Sequence, residues 1–142
     1  MEAGLQFNSN YEMKKFNILL YGCGHIGFRH LQGILKCKEK INIYVYDINL
    51  KQIELVKKKI LTQNNNLSKK YINFSHILFQ NIKFDIVIMA NTSAKRLENI
   101  KYILKQNSAK NIIIEKIPFQ SIEEFIRAKN FLNKRSVHTW IN

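Results

Sequence analysis

The feature that most constrains this chain is Gly22-Cys23-Gly24-His25-Ile26-Gly27, which follows the apolar run Phe16-Asn17-Ile18-Leu19-Leu20-Tyr21 and precedes a segment with helical spacing. Strand, glycine turn and helix in that order make a dinucleotide fingerprint, and each glycine has a physical task. Gly22 permits the tight turn out of the strand. Gly24 has no side chain to hold a pyrophosphate away from the backbone, and Gly27 allows the helix to pack close. The first N–H groups and the positive dipole end of the helix, at His25 and Ile26, then face the phosphates.

A second apolar run, Ile41 to Tyr46, ends in Asp47, twenty residues beyond Gly27. A carboxylate at that distance accepts hydrogen bonds from the hydroxyls of an adenosine ribose and repels a 2′-phosphate. The spacing therefore favours NAD over NADP. A plainer reading makes Asp47-Ile48-Asn49 a turn that caps the following helix.

Strand and helix patterns alternate along the rest of the chain. Ile26, His30, Leu31, Ile34 and Leu35 mark the packing face of a first helix. Ile53, Val56, Ile60 and Leu61 mark a second, with lysines outward, and Gln63-Asn64-Asn65-Asn66 ends it. A short third strand is expected near Tyr71–Phe74. Phe84 to Ala90 is almost continuously apolar, as suits a central parallel strand covered on both faces.

Thr92-Ser93 can start the next helix, whose apolar side is Leu97, Ile100, Ile103 and Leu104. Asn111 to Glu115 forms a further strand. Ser121 and Glu124 make a capping box for a helix with Phe125, Ala128 and Leu132 inward. Val137 to Ile141 is expected to be a sixth strand. The fold class is α/β, a doubly wound parallel sheet of Rossmann-like type with strand order 3-2-1-4-5-6, in a single domain.

Composition sets limits. The chain has 142 residues, 46% of them hydrophobic, enough for one domain with its own core. Residues 1–12 are polar and aperiodic and are expected to be a disordered extension, with the domain running from 13 to 142. No run is long and apolar enough for a transmembrane helix, and no signal peptide is recognisable, so the chain is expected in the cytoplasm. Cys23 and Cys37 lack metal-ligand spacing, and the four histidines are scattered, so no metal site is assigned.

The formal net charge of +13 admits a nucleic-acid surface, with Lys57-Lys58-Lys59 and Lys69-Lys70 as the densest groups. The basic residues are spread along the chain, so a solvated lysine face is the preferred reading, with nucleic acid as the alternative.

With Glu115-Lys116 in view, the chain from about residue 14 resembles the N-terminal domain of the Gfo/Idh/MocA oxidoreductases. The similarity rests on Gly22, Gly24 and Gly27, on His30, on the strand Phe84–Ala90, on the Asn91-Thr92 turn, and on Glu115-Lys116 in place of a Glu-Lys-Pro motif. Ile117 stands where the family has proline, and Pro118 follows one residue later.

The resemblance implies hydride transfer between nicotinamide and a sugar or nucleotide-sugar carbon, with surface-polysaccharide pathways an implied setting. It implies cofactor contacts at Gly22, Gly24, His25, Ile26, Gly27, Asp47, Asn91, Thr92, Glu115 and Lys116. Lys116 is implied to be catalytic, desolvated beside the nicotinamide and orienting the reacting oxygen. The family's second domain, which carries the substrate platform and the oligomer surface, has no counterpart in these residues. The expected partners are the dinucleotide and, in a full-length enzyme, the sugar substrate and a second copy. A binding module that holds NAD without turnover is the alternative.

Overall fold

A computed structural model describes residues 15–63 and 70–142. The expected polar extension, Met13-Lys14 and the Asn64-Asn65-Asn66 helix break lie outside the described residues. Ten elements alternate along the chain: β1 (Phe16–Tyr21), α1 (His25–Lys36), β2 (Ile41–Tyr46), α2 (Leu50–Thr62), β3 (Lys70–Ser75), β4 (Lys83–Met89), α3 (Arg96–Gln106), β5 (Ser108–Ile114), α4 (Ile122–Asn133) and β6 (His138–Ile141).

The six strands form one sheet in the order β3-β2-β1-β4-β5-β6. Every pairing is parallel, and Tyr46, Tyr21, Met89, Ile114 and Ile141 stand level across the sheet at its carboxyl edge. The order reverses between β1 and β4, and the turns leaving these two strands open the crevice where such sheets take ligands. Ala90 follows the last residue of β4, and Glu115 follows the last residue of β5, so both sit in turns beyond the strands rather than ending them.

Alternation along β1 sorts the core into two layers. Ile18 and Leu20 face α1 and α2, packing with Leu31, Ile34, Ile53 and Val56. Leu19 and Tyr21 face α3 and α4, packing with Leu97, Ile100, Ala128 and Leu132. Both faces are covered, which is why the central strands read as unbroken apolar runs.

Four residues depart from the expected packing faces. Ile26 is 45% exposed, because the first turn of α1 overhangs the carboxyl edge and Gly27 takes the inward position. Leu61 is 81% exposed: it lies one 100° step beyond Ile60, which is buried. Phe125 is partly exposed, facing an open hollow of about 340 Å³ between α4 and β6. Lys70, expected on a solvated basic face, is 8% exposed. Its ammonium donates to the carbonyls of Cys37 and Glu39 at 2.7 Å and so closes the α1–β2 turn.

Lys57, Lys58 and Lys59 are exposed as expected, with Lys57 over the ring of Phe74 and Lys59 over that of Phe28.

The caps also differ in part. Asn49 caps α2 and Ser121 caps α4. The Glu124 carboxylate returns to the N–H of Gln120 rather than that of Ser121. The Thr92-Ser93 pair does not cap α3, which starts at Arg96 after Lys95 in a left-handed conformation. Ser93 instead closes the preceding turn, its carbonyl accepting from Arg96 N–H at 3.2 Å. No helix among the described residues is long and apolar enough to cross a membrane.

Candidate functional site

The turn after β1 is built by backbone constraints. Gly22 has φ +95°, a conformation side chains resist, and its N–H donates to Tyr46 O at 2.8 Å. A Cβ on Gly22 would stand 2.8 Å from the backbone nitrogen of Asn91, and a Cβ on Gly27 would stand 2.0 Å from the carbonyl oxygen of Gly22. Those two glycines allow α1, the loop and the end of β4 to touch. Around Gly24 there is nothing within 4 Å of where a Cβ would be. The three glycines therefore divide into two that are required for packing and one that borders open space.

Gly24 is also the N-cap of α1 and supplies no capping side chain, and the first turn carries no acidic residue. In α2 and α4 a side chain occupies that position and accepts from first-turn N–H groups. At α1 those donors are left for another acceptor.

Asp47 closes the opposite side. One carboxylate oxygen accepts from Cys23 N–H at 2.9 Å and the other from Asn49 N–H at 2.9 Å. Asp47 thus makes the turn that leads to the Asn49 cap, as the plainer reading has it, and it also lies against the glycine loop. Each oxygen keeps acceptor capacity beyond the bond it makes. The Cys23 thiol is fully buried and pushed up to about 12 by burial and then by Asp47, which leaves it without thiolate character at neutral pH. Cys23 and Cys37 are free.

Gly22, Gly24, Asp47, Asn91 and Thr92 line one cleft of about 500 Å³, together with Tyr21, Tyr46 and the start of α3 at Lys95 and Asn99. Gly27 lies beneath it. His25 and Ile26 are exposed on the first turn of α1 and do not line it.

Glu115 and Lys116 also stand apart from the cleft lining. The Glu115 side chain turns inward, accepting from His30 Nε2 at 2.5 Å and from Asn142 Nδ2 at 2.6 Å. It ties α1 to the ends of β5 and β6. Lys116 is exposed. The expected desolvation is not found, because Lys116 projects from a surface turn rather than from the sheet. The peptide bond between Lys116 and Ile117 is cis. Among the described residues, no cluster of three or more His, Cys, Asp or Glu could hold a metal.

Burial pushes the Glu115 carboxyl up, but the bonds from Asn142 and His30 and the charges of His30 and Lys116 outweigh it, holding the group below the ordinary carboxylate range. A carboxyl depressed in the fold stabilises it above its unfolded value and loses that contribution as pH falls through the folded one. The wild type is therefore expected to lose stability below about pH 4.5 more steeply than Glu115→Gln. Urea melts from pH 7 down to pH 3 check this, and parallel curves for the two proteins would contradict it.

Arg96 is the residue that sequence reasoning missed. It is 1% exposed. Its guanidinium donates to the carbonyls of Asn91, Glu115, Ile117 and Pro118. The signal was available: Arg96 falls four residues before Ile100 and seven before Ile103, on the apolar stripe of α3.

No family model matches this chain, and no curated protein matches it. Solved structures do. An NAD-binding protein from Listeria innocua superposes with TM-score 0.67 at 15% identity, over 91% of this chain and 34% of that one. An oxidoreductase from Agrobacterium radiobacter, solved with NAD+, L-tartaric acid and magnesium, gives 0.67 at 14%, over 91% and 35%. A myo-inositol dehydrogenase from Corynebacterium glutamicum gives 0.63 at 13%, over 91% and 36%. The chain spans about a third of the length of each of these structures, and over that span it has their fold: a doubly wound, Rossmann-like α/β domain.

Proposed function

We propose that this chain is the NAD-binding domain of an oxidoreductase of the Gfo/Idh/MocA type, acting in the cytoplasm on a sugar or nucleotide-sugar. The observation that carries the reading is the pairing, across one cleft, of the bare Gly24 at an uncapped helix start with the Asp47 carboxylate. The matched structures support it by what they are: one is an NAD-binding protein, one holds NAD+, and one is a dehydrogenase of a cyclitol.

The residues fit the cofactor. The α1 N–H groups at His25, Ile26 and Gly27 receive the pyrophosphate over Gly24. Asp47 accepts from the ribose hydroxyls and disfavours a 2′-phosphate, so NAD is preferred over NADP. Asn91 and Thr92 border the path toward the nicotinamide, and Glu115 holds the turn that carries Lys116. When bound, the nicotinamide supplies hydride transfer. Lys116, exposed on that turn, would orient the reacting oxygen.

A second reading is binding of the dinucleotide by these residues without turnover. Both readings predict binding. Titration with NADH at two salt concentrations should give saturable binding that changes little with salt, while a DNA duplex should bind weakly. A steep salt dependence on DNA, with no response to NADH, would instead make the basic surface the functional one. No turnover is expected from the isolated chain with any sugar, and turnover would exclude the non-catalytic reading.

A further inference from the structure

Arg96 is an expensive residue to keep where it is. It is buried on a helix whose other buried positions are Leu97, Ile100 and Ile103. Packing alone would be served by another apolar side chain. What the guanidinium adds is a planar fork of donors, and all four acceptors are main-chain carbonyls.

The acceptors belong to two different turns. Asn91 is in the turn that leaves β4, while Glu115, Ile117 and Pro118 are in the turn that leaves β5. Other ties between these segments are single bonds, from Gln120 to the Ser93 hydroxyl, from Glu115 N–H to Met89 O and from Leu97 N–H to Glu124. Both turns lie at the carboxyl edge of the sheet, and between them they carry Asn91, Thr92 and Lys116.

We propose that Arg96 is a positioning residue, clamping the β4–α3 and β5–α4 turns into one rigid floor beside the nicotinamide end of the cleft without touching the cofactor. The inference rests on the dinucleotide reading above. It differs from a purely structural role in one consequence. Loss of the clamp loosens the nicotinamide end, while the adenosine and pyrophosphate contacts at Asp47 and Gly24 stay in place.

The test is a pair of titrations, with NADH and with ADP-ribose, which lacks the nicotinamide. Wild type, Arg96→Ala and Arg96→Lys are compared, with circular dichroism to confirm folding. Arg96→Ala is expected to weaken NADH by about tenfold and to leave ADP-ribose within about twofold. Millimolar guanidinium should restore NADH binding, and methylammonium should not. Equal losses for the two ligands, no loss, or no rescue would overturn the proposal.

If Arg96→Ala fails to fold, Arg96→Lys carries the same comparison, since it keeps the charge and loses the fork. Failure of both to fold would make Arg96 a folding residue and end the positioning role. A wild type that binds neither ligand would defeat the dinucleotide reading itself, and the clamp's stated role would fall with it.

Discussion

Gly27→Ala is expected to destabilise the domain by about 3 kcal/mol and to lower Tm on the order of 10 °C. The added methyl would sit 2.0 Å from the Gly22 carbonyl oxygen. That carbonyl has little room to yield, because Gly22 is held by its bond to Tyr46 O and backs onto Asn91. The helix must therefore move away from the loop, and NADH binding should be lost with it. Gly24→Ala is the informative partner, because the same methyl there meets nothing within 4 Å. Its stability cost should stay within about 1 kcal/mol, the ordinary difference between glycine and alanine at an N-cap. NADH affinity should nevertheless fall at least about tenfold, since the methyl stands where the pyrophosphate approaches. Thermal melts and NADH titrations on both variants separate the two effects. A Gly27→Ala protein that melts with the wild type would show that α1 is not seated on the loop as described.

Asp47→Ala is expected to weaken NADH by about 100-fold, from the loss of two hydrogen bonds to an ionised acceptor. It should weaken NADPH far less, since the carboxylate that repels a 2′-phosphate is gone. The substitution also strips the partners from the N–H groups of Cys23 and Asn49, so about 1–3 kcal/mol of stability should go with it. Asp47→Asn keeps a single acceptor oxygen and should fall between wild type and alanine in stability. An Asp47→Ala protein that binds NADH as the wild type does would remove the ribose contact and the NAD preference together.

The glycine and Asp47 substitutions probe different kinds of information. Gly22, Gly24 and Gly27 act through backbone geometry within six residues, which is why the motif was legible before any fold was known. The apolar periods of the helices and the continuous runs of β1 and β4 were legible for the same reason: each reports its own neighbours' burial. Together they were enough to predict the strand order β3-β2-β1-β4-β5-β6, because right-handed crossovers and short connections leave few alternatives.

The errors lay where a residue's role depends on a partner far along the chain. Lys70 looked like another surface lysine, and only the folded α1–β2 turn supplies the two carbonyls that bury it. Thr92-Ser93 had the chemistry of a cap, but the turn before Arg96 used it otherwise. The partners of the Glu115 carboxylate were equally out of reach: they are His30, 85 positions earlier, and Asn142, 27 positions later.

By itself, then, the order of residues determined the fold class, the glycine turn and the acidic residue that answers it, since these follow from local sterics and from the period of burial. Tertiary structure alone decided which of the three glycines borders open space, that Asp47 grips the loop as well as starting a turn, and that Arg96 joins two strand ends. Those are properties of atoms brought together from separate segments, and no local pattern encodes a distance across the sheet.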